Sequence, residues 1–366
     1  LISLPVPPPN KQVFAPGIYH PDLYLWDSWS CNSAQGVDLF CLALARNDHN
    51  GNAVSPVDRN NYFFHIRHFH SDESLMGWID QGCFQQPGQS SDGHDARNIW
   101  SGSVIDLYEA GQLFSYTGIQ QGDNDHPFIQ SLAIAYCDKD SKFSHGNTIL
   151  CPVQDREMIL NAGYYLAEGE NLGYKNGEQG GPIMAWRDPF LFKDANDNLL
   201  MTWAAKATSS KGSLGLAKLT LDKQFNCSVE TLYPPVTLPD DEEFSQLELP
   251  KIYHNPVENY YILCISTTNR KSEYQPQSEI VMKTRLYTSA NLNEGWNPAG
   301  THTSIVEGIQ NQFGMSVLKA DYRKGHLYCM APYTENAKEE LQLSFPPVFT
   351  IDLNTIGSTG TITANR

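Results

Sequence analysis

The sequence predicts an all-β fold, with several small antiparallel sheets arranged radially as a β-propeller. Three observations predict it. Short apolar or alternating runs bounded by turn residues recur from one end of the chain to the other. Sustained helical periodicity is missing apart from one short stretch, Met158 to Ala167, and nothing resembles a chain of βαβ units. The chain is 366 residues long, which is room for many such strands around a substantial core. On strand pattern alone, a sandwich or a double-stranded β-helix is the alternative architecture.

The runs come in order. Tyr62-Phe63-Phe64-His65-Ile66 and Leu132-Ala133-Ile134-Ala135-Tyr136 are followed by Leu199-Leu200-Met201-Thr202-Trp203. Tyr260-Tyr261-Ile262-Leu263-Cys264-Ile265, Ser316-Val317-Leu318 and Leu327-Tyr328-Cys329-Met330 continue the pattern. Turn signals such as Asn196-Asp197-Asn198 and Lys324-Gly325 lie between or just before them, as in meandering antiparallel sheet. No fixed-period repeat and no shift in composition marks an internal boundary. Residues 1–366 therefore read as a single domain, with residues 1–15 an extended N-terminal segment.

Composition narrows the function. Lys and Arg number 25 against 41 Asp and Glu, a formal charge of −16. Such a surface repels phosphate backbones and anionic lipid, so neither nucleic acid nor a membrane is an expected partner. A neutral small molecule such as a sugar meets no such barrier. No run of about 18 apolar residues is present to span a bilayer. The chain begins at Leu1 without Met, and residues 1–9 are Pro-rich with no basic segment before an apolar core. Both a removed signal peptide and a trimmed chain fit this start. The eight cysteines are scattered without a Cys-x-x-Cys pair, against a metal cluster or redox motif. Buried thiols are the default, and one or two disulfides are compatible with the spacing. Asn226-Cys227-Ser228 is a glycosylation sequon.

Three carboxylates stand out by their neighbours. Transfer of a glycosyl group through a covalent intermediate needs one carboxylate to attack the anomeric carbon and a second carboxyl to protonate the leaving oxygen. A third carboxylate can bind the sugar hydroxyls and offset the developing positive charge. Asp27, within Trp26-Asp27-Ser28-Trp29, suits the nucleophile: its flanking indoles would wall a sugar ring and restrict water. Glu248, within Gln246-Leu247-Glu248-Leu249-Pro250, suits the acid/base, since partial burial would raise its pKa. Asp188, within Trp186-Arg187-Asp188-Pro189, suits the third role, with Arg187 placed to hold a sugar hydroxyl or the neighbouring carboxylates. Each also has an ordinary reading, as a turn cap, a strand-edge carboxylate and a surface ion pair. The run Asp240-Asp241-Glu242-Glu243 reads as a solvated acidic loop.

In this order the motifs resemble those of the bacterial fructosyltransferases: the levansucrases, inulosucrases and related β-fructofuranosidases of glycoside hydrolase family 68. Trp26-Asp27-Ser28-Trp29 is similar to the family's nucleophile motif, and Arg187-Asp188-Pro189 to its transition-state-stabilising motif. Ile99-Trp100-Ser101-Gly102-Ser103 resembles a segment whose tryptophan and serine line the fructosyl subsite. Gln246-Leu247-Glu248-Leu249-Pro250 is similar to the acid/base motif. Ser266-Thr267-Thr268-Asn269-Arg270 resembles a segment whose arginine contacts the leaving group or acceptor.

The resemblance runs from about residue 24 to residue 270. It implies a five-bladed propeller with a central axial pocket and sucrose or a related fructoside as substrate. It also implies retention through a fructosyl-aspartate intermediate. Catalysis would rest on Asp27, Asp188 and Glu248, with Trp26, Trp100, Ser101, Arg187, Gln246 and Arg270 binding substrate. No cofactor or metal is implied, and a monomer in an extracellular or periplasmic setting is expected.

The sequence departs from the family at several points. Leu249 stands where an arginine normally follows the acid/base glutamate, and Ala204 stands where a glutamate is expected. Gln312-Phe313-Gly314 replaces a segment with a histidine, and Ser245 occupies the place of a calcium-binding aspartate.

Other residues invite function more weakly. His68 and His70 fall on one face of a strand, a conceivable metal pair whose commoner role is strand hydrogen bonding. Tyr164, Tyr165, Tyr174 and Trp203 are candidates for apolar pocket walls, with core packing as their default. Gly180-Gly181-Pro182 reads as a turn rather than a phosphate loop.

Overall fold

Strands form where the apolar runs predict them, and each new strand pairs mostly with the one just before it. A computed structural model describes residues 1–88, 90, 93–107, 110–120, 129–138, 146–167, 183–272, 274–300, 303–309, 311–334, 342–355 and 363–364. Tyr174 and Gly180–Pro182 lie outside these residues.

The first sheet contains β1 (Val13–Phe14), β2 (Leu23–Ser33), β3 (Gly36–Ala45), β4 (His65–Ser71) and β5 (Trp78–Gln85), in the order β1-β5-β4-β3-β2. The second holds β6 (Asn98–Asp106), β7 (Gln112–Gln120), β8 (Ile129–Cys137) and β9 (Asn147–Leu150). The third holds β10 (Arg187–Lys193), β11 (Leu199–Thr208), β12 (Lys211–Leu221) and β13 (Cys227–Leu232). The fourth holds β14 (Gln246–Asn255), β15 (Tyr260–Thr268), β16 (Met282–Ser289) and β17 (Asn297–Pro298). The last holds β18 (Ser316–Asp321), β19 (His326–Met330), β20 (Phe349–Asp352) and β21 (Thr363–Ala364). All pairings within these sheets are antiparallel, so short turns suffice to connect them.

The chain divides into two compact units, residues 1–87 with 306–366, and residues 88–305. In the first unit, Leu23, Leu25, Phe69, Trp78, Leu318 and Phe345 form the apolar core. Each such side chain contributes about 1.5–3 kcal/mol when fully buried. Among the described residues the second unit shows two cores. One gathers Tyr164, Trp186 and Trp203, with ring centroids 5.4–5.9 Å apart. The other gathers Phe190, Ala204, Leu247, Leu263 and Tyr287.

Two sequence expectations shift by a few residues. Only His65 and Ile66 of the Tyr62–Ile66 run belong to β4, because Pro56–Asn61 form a 3-10 turn that ends at Tyr62. The helix expected over Met158–Ala167 is α1, Arg156–Asn161. It stops early because Gly163 turns to φ +95° and the amide of Tyr164 closes back on the Ile159 carbonyl.

Three turns share one design. Asp48, Asp194 and Asp222 each accept the backbone N–H groups two and four residues on, and each binds the side-chain amide of an asparagine four residues on. Asn226 of the sequon is the asparagine of the last turn. None of the eight cysteines forms a disulfide. Among the described residues no helix is long and apolar enough to cross a membrane.

A fully buried charged group ties the N-terminal segment to the first unit. Arg67 donates from Nε and Nη2 to the two oxygens of Asp80 at 2.7 and 2.5 Å. Its Nη1 and Nη2 also donate to the carbonyls of Pro7 and Pro8. Asp80 further accepts the N–H groups of Asn10 and Gly82, and His20 approaches to 3.3 Å. The extended N-terminal segment is therefore held by backbone hydrogen bonds to a side chain.

His65 lies near this group, 3 % exposed, and its Nε2 has no hydrogen-bond partner. Burial, followed by repulsion from Arg67, pushes its pKa down to about 3. Between that value and the ordinary range near 6.5, the unfolded chain binds a proton that the folded chain refuses, so stability rises with pH. The contribution of His65 to stability therefore falls by about 1.4 kcal/mol per unit as pH drops from 6.5 towards 3. Urea denaturation at pH 6.5 and 4.5 should show His65→Leu losing about 2 kcal/mol less than wild type. Equal losses in the two proteins would refute this account.

Candidate active site

In each sheet one edge strand, β2, β6, β10, β14 or β18, carries one extra residue opposite its partner, and the sequence motifs fall on the first four of these bulges. In the second unit Trp100 pairs with Thr117 and Gly102 with Tyr116, leaving Ser101 unmatched. Arg187 pairs with Ala204 but Phe190 with Thr202, and Glu248 pairs with Ser266 but Lys251 with Cys264. In the first unit the step lies between Trp26 and Ser28, and again between Val317 and Lys319. A bulge bends the strand and re-aims side chains that strict alternation would send to opposite faces.

The backbone at these points is unusual. Asp27, Asp188 and Leu249 have φ of +24°, +60° and +51°. Positive φ costs a non-glycine residue of order 1–3 kcal/mol, and aspartate tolerates it better than leucine does. Gly102 is required for a different reason. A Cβ there would sit 1.8 Å from the Ser115 carbonyl, so the strands meet at this distance only without a side chain.

Arg187 is the centre of a polar cluster in the second unit. Its Nη2 donates to Gln246 Oε1 at 3.1 Å and lies 3.6 Å from Glu248 Oε1. Its Nη1 donates to Gln130 Oε1 at 3.5 Å, and its guanidinium carbon lies 5.8 Å from the centre of the Trp100 ring. Arg187 and Glu248 are mostly buried, with side chains 12 % and 20 % exposed. A guanidinium held among two amides, a carboxylate and an indole face is fixed in position with its charge largely shielded from water.

Asp188 is tied to the acid/base segment through the backbone. Its Oδ2 accepts the Leu249 N–H at 2.9 Å, and its own N–H donates to Thr117 Oγ1 at 2.9 Å. Leu249 thus contributes its amide, while its side chain, 4 % exposed, packs away from water. Ala204 is likewise fully buried, in the core beside Leu247. Both positions, where the resemblance leads one to expect charged groups, hold packed apolar side chains.

Of the expected binding residues in this unit, Trp100, Arg187 and Gln246 join Glu248 in one cluster. Ser101 is buried beneath it, and its carbonyl accepts from Thr117 at 3.1 Å. Arg270 takes part through its backbone: its carbonyl accepts from Gln246 Nε2 and Ser245 Oγ, while its guanidinium donates to Gln277 at 2.7 Å. Ser245 is thereby engaged as a strand-to-loop tie.

In the first unit Asp27 is half-buried at the bulge between Trp26 and Ser28. Trp26 is 6 % exposed and meets Phe64 edge-on at 4.9 Å. Trp29, expected as a second pocket wall, is fully buried opposite Phe40. Tyr164 and Trp203 are core residues as well, and Trp186 packs between them.

The acidic run was misread as merely solvated. Arg285, 4 % exposed at its side chain, donates to Asp240 and Glu243, while Tyr287 and Ser304 donate to Asp240. Lys211 pairs with Asp241 and Glu242. Partners on β12 and β16, and Ser304 beyond them at 64 residues in sequence, turn the run into an anchor for the segment entering β14. His68 and His70 both donate to Asp38 Oδ1, at 2.8 and 2.9 Å, which is the strand role expected of them.

Gln130 and Thr117 were missed as site residues. Their signal was present: Ser101, Ser103, Ser115 and Thr117 place hydroxyls at alternate positions of otherwise apolar strands.

Solved structures decide the architecture. The inulosucrase of Halalkalicoccus jeotgali, bound to kestose, superposes with a TM-score of 0.66 over 99% of this chain and 91% of its own, at 15% identity. The levansucrase of Bacillus subtilis gives 0.61 over 94% and 87%, at 13% identity. A variant of the levansucrase of Bacillus megaterium gives 0.62 over 98% and 89%, at 14% identity. The chain is a five-bladed β-propeller. Each of the five sheets is a blade, and the motif-bearing bulges lie on edge strands of four of them. No family model matches the sequence, and no curated protein matches it.

Proposed function

We propose that this propeller transfers or hydrolyses β-fructofuranosyl groups of sucrose or a related fructoside, with retention. The observation that carries the reading is the Arg187 cluster. It places Trp100, Gln246 and Glu248 around one guanidinium and ties Asp188 to the Leu249 amide, in a fold shared with levansucrases solved with sucrose and an inulosucrase solved with kestose.

Asp27 attacks the anomeric carbon, displacing the leaving alcohol as Glu248 protonates its oxygen. Glu248 then takes a proton from water or an acceptor hydroxyl, which attacks the fructosyl-aspartate and releases Asp27. Asp188 binds sugar hydroxyls and offsets the positive charge that develops on the ring. Trp26, Trp100, Ser101, Arg187, Gln246 and Arg270 form the binding shell. The two-carboxylate chemistry calls on no metal, and the protein works as a monomer in an extracellular or periplasmic setting.

The test is incubation with sucrose, fructans and other fructosides, with released glucose and fructose measured separately. From sucrose, equal amounts mean hydrolysis, and glucose in excess means transfer to a sugar. Release of arabinose but not fructose from a substrate panel would assign another furanosidase activity instead. Sugar binding without turnover would make the protein a carbohydrate-binding propeller, a reading favoured by the buried Leu249 and Ala204.

A further inference from the structure

The strand β10 is the edge of its sheet, and its ladder to β11 breaks between Arg187 and Phe190. Backbone groups at such a break need other partners, because a buried donor or acceptor left unmade costs about 1–3 kcal/mol. Here three of them are met by hydroxyls of the neighbouring blade. The Asp188 N–H donates to Thr117 Oγ1 at 2.9 Å, and the Pro189 carbonyl accepts from Ser115 Oγ at 2.8 Å. The Leu191 N–H donates to Ser103 Oγ at 2.7 Å. Ser103 and Ser115 are themselves 2.7 Å apart, Thr117 donates onward to the Ser101 carbonyl, and all three are wholly buried.

The three hydroxyls form a ladder that runs the length of the bulge. The first unit repeats the device independently: Ser30 donates to the Val317 carbonyl and Ser316 to the Ser28 carbonyl, again beside bulges.

We propose that Ser103, Ser115 and Thr117 are positioning residues for Asp188, with Thr117 the decisive one. All three are shielded from solvent. Thr117 holds the Asp188 amide, which fixes the residue at φ +60° and delivers its carboxylate to the Leu249 N–H. Through the Ser101 carbonyl the same hydroxyl sets the segment beside Trp100. The ladder therefore couples the stabilising carboxylate to the fructosyl-binding segment, with no group of its own in the chemistry. This role rests on the fructosyl reading of Asp188 given above.

Thr117→Val keeps the shape and removes the acceptor, while Thr117→Ser keeps the hydroxyl. In the full chain, kcat on the best fructoside should fall about ten- to hundredfold in Thr117→Val with KM within about twofold, and return to within about threefold of wild type in Thr117→Ser. Ser289→Ala, which removes the hydroxyl bond of another buried serine to the Glu294 carbonyl, should leave kcat unchanged. A Thr117→Val enzyme with at least half the wild-type kcat would overturn the proposal, as would an equal loss in Ser289→Ala or failure of Thr117→Ser to recover.

Amide hydrogen exchange over residues 183–192 and 246–252 supplies a readout independent of turnover. If wild type releases no sugar, the fructosyl reading falls, and exchange alone decides the positioning role. Faster exchange in both segments of Thr117→Val, but not of Ser289→Ala, upholds it, and unchanged exchange overturns it.

Discussion

Asp27→Asn is expected to lower fructoside turnover by roughly ten-thousandfold or more, because no covalent fructosyl-enzyme can form without a nucleophilic carboxylate. The asparagine is the informative replacement. Asp27 occupies the extra position of the bulge at φ +24°, where asparagine tolerates positive φ and alanine would add strain to the loss of charge. Unfolding of Asp27→Asn should therefore differ little from wild type, and the defect should sit in kcat.

Asp27→Gly also accepts this backbone and leaves space for an external anion. Azide should then restore turnover to Asp27→Gly, attacking the anomeric carbon itself and giving a fructosyl azide of inverted configuration. The same anion should do nothing for Asp188→Gly, which lacks a stabilising charge rather than an attacking one. Near-wild-type turnover of Asp27→Asn, or rescue of both glycine variants alike, would show that the roles have been assigned wrongly.

The second large effect is on stability. Asp80→Ala should cost about 3–5 kcal/mol, since it strands the Arg67 guanidinium in an interior where both partners are wholly shielded from water. It should also loosen the first residues of the chain, whose Asn10 amide and Pro7 and Pro8 carbonyls depend on the pair. Limited proteolysis within residues 1–14 should accelerate in parallel.

The double variant Arg67→Met with Asp80→Leu should regain part of the loss, because no charge is left buried, though the two proline carbonyls stay unmatched. If the double variant is less stable than Asp80→Ala alone, the buried charge is not what costs the single variant its stability.

Acid acts on the same group. Burial by itself would raise the Asp80 pKa, but the hydrogen bonds from His20, Arg67, Asn10 and Gly82 outweigh it and hold the carboxyl well below the usual carboxylate range. Its stabilisation is therefore complete above the unfolded carboxylate value near 3.9 and is lost as pH falls through the depressed folded value. The His65 effect, by contrast, operates from pH 6.5 downward, so the two are separable along the pH axis.

The blades and the carboxylate motifs were legible in the sequence for one physical reason. Strand runs and motifs are local, and Leu132–Tyr136, Leu199–Trp203 and Tyr260–Ile265 announce themselves by apolar content between turns. What could not be read depends on partners far away in sequence. The hydroxyls that hold Asp188 come from strands 71 and more residues upstream, and the partner of Asp240 at Ser304 lies 64 residues downstream.

The bulges were hidden differently. An extra residue such as Ser101 or Asp188 breaks the alternation at one point, and one break inside a short motif cannot be told from a strand end. The indoles were overvalued for the same reason, since burial of Trp29 and Trp203 follows from their cross-strand neighbours Phe40 and Gly215.

The irregular edge strands also bear on how such molecules coexist at high concentration. A straight edge strand offers a row of unclaimed amides and carbonyls on which another chain can extend the sheet. In β10 those groups are consumed by serine and threonine hydroxyls, and the extra residue interrupts the even spacing a visiting strand would need. Because β10 is itself buried against β6 and β14, the same hydroxyls join one sheet to the next, so this edge is closed by its neighbours as well as by its distortion.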